Sequence, residues 1–468
     1  MLPRAAFVGI LMLWAAQSAL ARPERAASPL YGFSVQVDPG FGYYKNRSPR
    51  SIAEEVRANG YSTVHLVVTN EEAIDPALVR ALRREGLAVW YLTFGNGVYS
   101  TASCPQGWEA WKMVTRSDLE GKPLADGYTR FCLNNPAYRA WKKQRMARVL
   151  REHRFQGVEI AEPHWPEYPG ISSPAYGCFC AHCRTAFRTM FPEEPDLPDI
   201  VHPDSPRNPA RNPALWAKWL RFRQATLTSF LNDLVNGPGG IRQTAPGTTV
   251  CTWTLALSEP DGVRKVREIH GEDAAEVVRV VRPDAHMLQT HWFDWVKPEL
   301  KPDYVEVYRP FLDPVRKAAP SLPVLIQADI GSWKQNRRSW QWIHAFEAAC
   351  RRIGASGATL YEYFIGGYMY TDTPRIAEVR RDGEGFRLLF TKRLDPVTAG
   401  DASHYSTDRG RIESVRVDGS TVILRLAGVR AGERVALTVR DIADDPTRRL
   451  FDDRPACVLK EQHVSTVD

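Results

Sequence analysis

After its first two dozen residues the chain contains no apolar stretch of the ~20 residues that a membrane-spanning helix takes. Blocks of like charge are also missing. The formal net charge of +7 comes from Lys and Arg scattered among nearly as many Asp and Glu, so no nucleic-acid footprint is expected. No Gly-rich phosphate fingerprint follows the first strand-like segment, which argues against a dinucleotide-binding fold. No H-x-H or H-E-x-x-H set is present to hold a catalytic metal. What is left is an ordinary globular composition, 44% hydrophobic and 25% charged, with 34 Pro and 32 Gly in 468 residues. That is enough chain for one large barrel and a small domain.

The one long apolar run opens the sequence. MLPRAAFVGILMLWAAQSALA has a single basic residue, Arg4, then an apolar core, and ends in the small-x-small pattern Ala19-Leu20-Ala21 that signal peptidase cleaves. Residues 1–21 are therefore expected to be an export signal. The mature chain, from near Arg22, is expected in the periplasm or outside the cell, with no membrane span once the signal is gone.

Strand-like and helix-like segments then alternate. Apolar, β-branched runs at 31–38, 63–70, 87–96, 155–162, 248–258, 285–295, 323–330 and 358–364 read as strands. Amphipathic runs at 51–59, 76–85, 137–151, 216–235, 272–281, 305–318 and 339–353 read as helices between them. Eight strands in one series predict an α/β fold, a (β/α)8 TIM barrel over 30–372, whose site lies at the C-terminal strand ends. The longest insertion, 164–214, follows the fourth strand, and loops of that length are usually functional. From 374 to 460 the period changes to two, with Asp-Gly turns, predicting a small all-β sandwich, and its stretch LTVRDIADDPTRRLF resembles the closing strands of bacterial immunoglobulin-like domains attached to secreted enzymes.

Inside the insertion, YGCFCAHCRTAF crowds Cys178, Cys180 and Cys183 into six residues ahead of a helical segment. Three thiols fall one short of tetrahedral zinc, and disulfides between such close neighbours would be strained. A fourth thiol is available at Cys132. The alternative is a pair of disulfides, one of them Cys104–Cys132, which an exported protein permits. Cys251, Cys350 and Cys457 read as small buried hydrophobes.

Arg130-x-Cys132, then Asn135-Pro136-Ala137-Tyr138-Arg139, with the CxCxxC loop after the fourth strand, resembles the β-galactosidases of glycoside hydrolase family 42. The resemblance implies a structural zinc held by Cys132, Cys178, Cys180 and Cys183, with no open position for chemistry. It also implies a catalytic acid/base at the end of the fourth strand, which is Glu162 here. Ala161 stands where the family has Asn. The family's nucleophile, near the end of the seventh strand, falls on Gln327, which cannot attack an anomeric carbon. Asp329, on the same strand face, and Glu362, at the end of the eighth strand, are the candidate replacements. Independently of the resemblance, alternation points Gly157, Glu159 and Ala161 into the barrel, so Glu159 either serves the site or pairs with an interior cation.

Aromatic and imidazole side chains crowd the same strand ends: His164, Trp165 and Tyr168, then Trp253, then His291, Trp292 and Trp295, then Trp333 and Tyr361. Flat rings suit pyranose C–H faces, and the two His could orient a carboxylate or touch substrate. The expectation is an exported glycoside hydrolase acting on a poly- or oligosaccharide, with a structural zinc and no organic cofactor. The alternative is a catalytically silent carbohydrate-binding barrel serving polysaccharide assembly or export.

Overall fold

The computed structural model describes residues 33–465 except 166–168, 195, 197–199, 384 and 431. The expected export signal and Tyr168 lie outside the described residues. Eight parallel strands close into a barrel: β1 (Ser34–Val37), β2 (Thr63–Val68), β3 (Ala88–Phe94), β4 (Gly157–Ala161), β5 (Thr249–Ala256), β6 (Ala285–Thr290), β7 (Val324–Asp329) and β8 (Gly357–Tyr361). Neighbours follow chain order, and β8 returns to β1 through Ser34↔Thr359. Every residue of TVHLVV in β2 and VLIQAD in β7 is buried, as expected for strands covered on both faces.

The helices start where the sequence supplies a cap and a proline. Helix α1 (Pro49–Ala58), α2 (Pro76–Arg84), α3 (Pro136–His153) and α5 (Pro213–Asn236) follow Ser48, Asp75, Asn135 and Asn212. Each capping side chain accepts a first-turn amide, worth about 1 kcal/mol, and proline costs nothing where no helical N–H partner exists. Helix α4 (Ala181–Met190) follows the cysteine loop. One expected strand, 285–295, stops at Thr290, because His291 accepts the Phe293 amide and starts the helical turn Trp292–Trp295. Among the described residues no helix is long and apolar enough to cross a membrane.

Gly157, Glu159 and Ala161 point inward, as alternation requires. A Cβ on Gly157 would lie 2.7 Å from the Trp90 ring, so glycine is what lets that indole cross the barrel. The fully buried Glu159 Oε2 lies 2.5 Å from His65 Nδ1 on β2, which supplies the interior partner.

The C-terminal region is two antiparallel sheets. One runs in the order β9 (Ile376–Asp382), β10 (Gly385–Phe390), β13 (Thr421–Ala427), β12 (Arg411–Asp418); the other in the order β11 (Tyr405–Thr407), β14 (Ala436–Ala443), β15 (Val458–Ser465). Phe386, Leu388, Leu424 and Val439 belong to their shared core. The sheets pack on α1: Arg387 Nη2 donates to the buried Glu54 at 2.7 Å and Arg47 Nη2 to Ser420 Oγ at 2.7 Å. The β12–β13 turn places Gly419 at φ 63° with Arg47 against it, so glycine serves there by conformation and by size.

Candidate functional site

A cavity of about 270 Å³ opens at the C-terminal ends of the strands, walled by residues of all eight. Asp38, Glu162 and Asp329 are its carboxylates, Gln36, Gln289 and Gln327 its amides, and Trp253, Trp295, Tyr99 and Tyr361 its larger aromatics. Trp253 Nε1 and Gln327 Oε1 are buried without a hydrogen-bond partner. Orphaned polar atoms in a cavity wall suit a hydroxyl-bearing ligand.

Glu162 follows β4 directly, with φ 49°. A non-glycine residue rarely takes that conformation, and it costs on the order of 1–3 kcal/mol. The turn directs its carboxylate into the cavity, where Oε2 accepts the Tyr128 hydroxyl at 3.2 Å. Tyr128 is carried by a short ribbon, Gly97–Val98 paired with Thr129–Arg130. Any side chain at Gly97 would overlap the Tyr128 hydroxyl.

The other two cavity carboxylates differ in how much they are already used. Asp329 Oδ1 accepts the amides of Gly331 and Ser332, both at 2.9 Å, and Asn336 Nδ2 at 3.1 Å; its Oδ2 accepts the Ser332 hydroxyl. It holds the β7 loop together. Asp38 Oδ1 accepts the Gly40 amide at 2.8 Å. Burial pushes the Asp38 carboxyl up, opposed by that amide and by Lys45. The sequence reading passed over Asp38, which follows β1 directly as the first residue of an Asp-Pro-Gly turn.

Glu362 and Glu159 are not among the residues lining the cavity. Glu362 is fully buried behind β8; Oε1 accepts the Tyr44 hydroxyl and Oε2 the Asp38 amide, both at 2.5 Å. Burial pushes its carboxyl up to about 8, against the pull of those two donors. Glu159 is spent on His65, below the cavity.

The aromatic candidates divide similarly. Trp253 and Tyr361 line the cavity, while Trp292 and Trp333 are exposed outside it, at 45% and 52%. Trp165 is fully buried, its Nε1 donating to the Arg223 carbonyl at 2.9 Å and its ring beside Phe222. That indole anchors the β4 insertion to α5 and cannot stack on substrate. His164 and His291 belong to a buried cluster with His270. Phe293 N donates to His291 Nδ1, leaving its Nε2–H facing His270 Nε2 at 3.2 Å; His270 Nδ1 then faces the Trp165 carbonyl, also at 3.2 Å. Burial lowers His164 to about 3 and His291 to about 4, so both are neutral at physiological pH. Glu272, another residue the sequence reading missed, lies beside them, its Oε1 3.9 Å from His164 Nδ1. Burial first, then the charge of Glu162, raises its carboxyl well above the usual range.

The four cysteines converge. Cys132 Sγ is 3.4 Å from Cys180 Sγ and 3.5 Å from Cys183 Sγ, and Cys178 completes a group lying within 4.8 Å. None of the eight cysteines is in a disulfide, so the bridged alternative, Cys104–Cys132 included, is not formed. Four thiolates about 2.3 Å from a shared centre would stand about 3.8 Å apart, so a tetrahedral metal needs only small adjustments. The cluster ties two loops together: Val114 N donates to Cys178 Sγ at 3.4 Å and Phe179 N to the Val114 carbonyl at 2.9 Å. The same strip carries Arg130 and Tyr128.

No protein-family model and no curated protein sequence matches the chain. Solved structures do. A cold-adapted β-galactosidase from Rahnella sp. R3 matches with TM-score 0.50 at 13% identity, over 71% of this chain and 51% of that one. A GH42 β-galactosidase from G. stearothermophilus matches with TM-score 0.50 at 14% identity, over 71% and 51%. The chain thus spans about half the length of each, and the likeness is one of fold: a closed barrel of eight parallel strands.

Proposed function

We propose that the chain is an exported glycoside hydrolase acting on a poly- or oligosaccharide, with Glu162 as its general acid. The observation that carries the reading is the placement of Glu162, at the end of β4, in a strained backbone conformation, with its carboxylate in a cavity that also holds Asp38 and Asp329. Protonated Glu162 delivers its proton to the glycosidic oxygen, and the Tyr128 hydroxyl orients the carboxylate. The ring left behind acquires positive charge at the anomeric carbon, and a second carboxylate must meet it. Asp38 takes that role better than Asp329, whose two oxygens already hold the β7 loop. Neutral amides at Gln36, Gln289 and Gln327 and the Trp253 N–H suit sugar hydroxyls, and Tyr361 offers a face to the ring.

Cys132, Cys178, Cys180 and Cys183 would hold zinc. A closed set of four thiolates leaves no site for water, so the metal would supply rigidity alone. Its place between the 113–132 strip and the cysteine loop fixes the ribbon that carries Tyr128. The C-terminal sheets would form an immunoglobulin-like appendage, and the N-terminal segment supports export.

The test is release of reducing ends from a glycan panel by the wild-type protein and by Glu162→Gln. Cleavage by the wild type and its loss in the variant are expected. Binding without cleavage by the wild type would leave a carbohydrate-binding barrel and reject the hydrolase.

A further inference from the structure

The geometry points to a second sugar subsite beside the barrel cavity, so that the group leaving from Glu162 is itself a sugar unit and the substrate is a glycan chain. This rests on the hydrolase reading for the place of the cleaved bond, but not for the binding of the chain.

A separate cavity of about 320 Å³ lies within the loop that follows β3, walled by Lys112, Leu124, Asp126, Tyr128, Arg130 and Tyr99. Tyr99 lines both cavities. Tyr128 lines the second, and its hydroxyl reaches Glu162, which lines the first. The carboxyl that would protonate a glycosidic oxygen therefore stands at the boundary between the two spaces. A general acid must stand there to serve a bond with one sugar on each side.

The wall between them is aromatic and continuous. The Phe94 and Tyr99 ring centroids are 5.8 Å apart and those of Tyr99 and Tyr128 are 4.7 Å apart. Tyr99 is 63% exposed. An exposed ring continuing a half-buried aromatic row is a platform for pyranose faces, with hydroxyls at its edge. The second cavity is polar in the manner that sugar hydroxyls require. Arg130 forms a fork with Asp126, at 2.8 and 3.3 Å, and Lys112 lies over the Trp108 ring with its centroid 5.0 Å away. The strip is held by Met113 N donating to the Arg130 carbonyl at 2.9 Å and by Phe131 N donating to the Asn96 carbonyl at 2.7 Å, so the second space is preformed.

The experiment measures binding of Glu162→Gln to matched mono-, di- and trisaccharides of β-1,4-linked galactose, mannose, glucose and N-acetylglucosamine. It is repeated with Leu124→Trp added to fill the second cavity, and wild-type release of reducing ends is followed in parallel. In at least one series affinity should rise about tenfold from one sugar to two or three, the worth of about 1.4 kcal/mol, and Leu124→Trp should remove most of that rise. Affinity independent of length, with wild-type cleavage intact, overturns the subsite and leaves the hydrolase standing. Length dependence that Leu124→Trp abolishes, without cleavage, supports the subsite and rejects the hydrolase. Length dependence unaffected by Leu124→Trp places the added sugar elsewhere and overturns the proposal, as does an absence of binding in every series.

Discussion

Replacing Glu362 by Gln separates a buried structural carboxyl from a catalytic one. Its folded-state value of about 8 lies far above the ordinary 4.5, and at about 1.4 kcal/mol per tenfold the ionised form costs the folded protein roughly 5 kcal/mol. The native state holds the proton more tightly than the unfolded chain does. The stability this confers is therefore complete below about pH 4.5, declines as pH rises, and is gone above about pH 8. Gln cannot ionise, yet it keeps an oxygen for the Asp38 amide and offers an amide group to the Tyr44 hydroxyl. Urea unfolding should find variant and wild type similar at about pH 5, with the variant gaining roughly 4 kcal/mol relative to wild type by about pH 9. Its glycan cleavage should stay close to that of the wild type. Unfolding curves that stay parallel across pH, or a cleavage loss matching that of Glu162→Gln, would refute the reasoning.

Asp38→Asn should cut kcat by at least about 100-fold, the usual scale for a lost catalytic carboxylate, while leaving the thermal midpoint near wild type; a rate loss of less than tenfold would remove Asp38 from the reaction. Asp329→Ala should instead destabilise by about 2–4 kcal/mol, since it strands the Gly331 and Ser332 amides and Asn336, as denaturant titration would read. Elemental analysis should find about one zinc per chain, with Cys180→Ser lowering zinc content and thermal midpoint together; less than half an equivalent with oxidised thiols would reject the metal. Trp165→Ala should cost about 3–5 kcal/mol of stability, and a well-folded variant with weakened glycan binding would contradict its anchoring role.

The barrel was legible because its signal is local. Eight β-branched runs alternate with helices, and Ser48-Pro49, Asp75-Pro76, Asn135-Pro136 and Asn212-Pro213 mark where four of those helices begin. Strand alternation likewise gave the inward direction of Glu159 and the shared face of Gln327 and Asp329. The duties of the carboxylates were not legible, because each is decided by partners far away in sequence. Glu362 is claimed by Tyr44 and the Asp38 amide, Glu159 by His65, and Trp165 by the Arg223 carbonyl on α5. Asp38 had a signal, a carboxylate where a strand meets an Asp-Pro-Gly turn, but turn chemistry alone accounts for Asp at that position. Glu272 sits one residue before the Asp273 cap of the helix Ala274–Val281, so helix propensity hid its burial.

Incubation of the wild-type protein and Glu162→Gln with candidate glycans in ¹⁸O-labelled water, followed by mass spectrometry of the products, tests the central claim most directly. Hydrolysis must leave one labelled oxygen on the new reducing-end carbon of wild-type products, and the account predicts that label with little or none from the variant. Unlabelled, uncut glycans with the wild type, or equal labelling by Glu162→Gln, would contradict it.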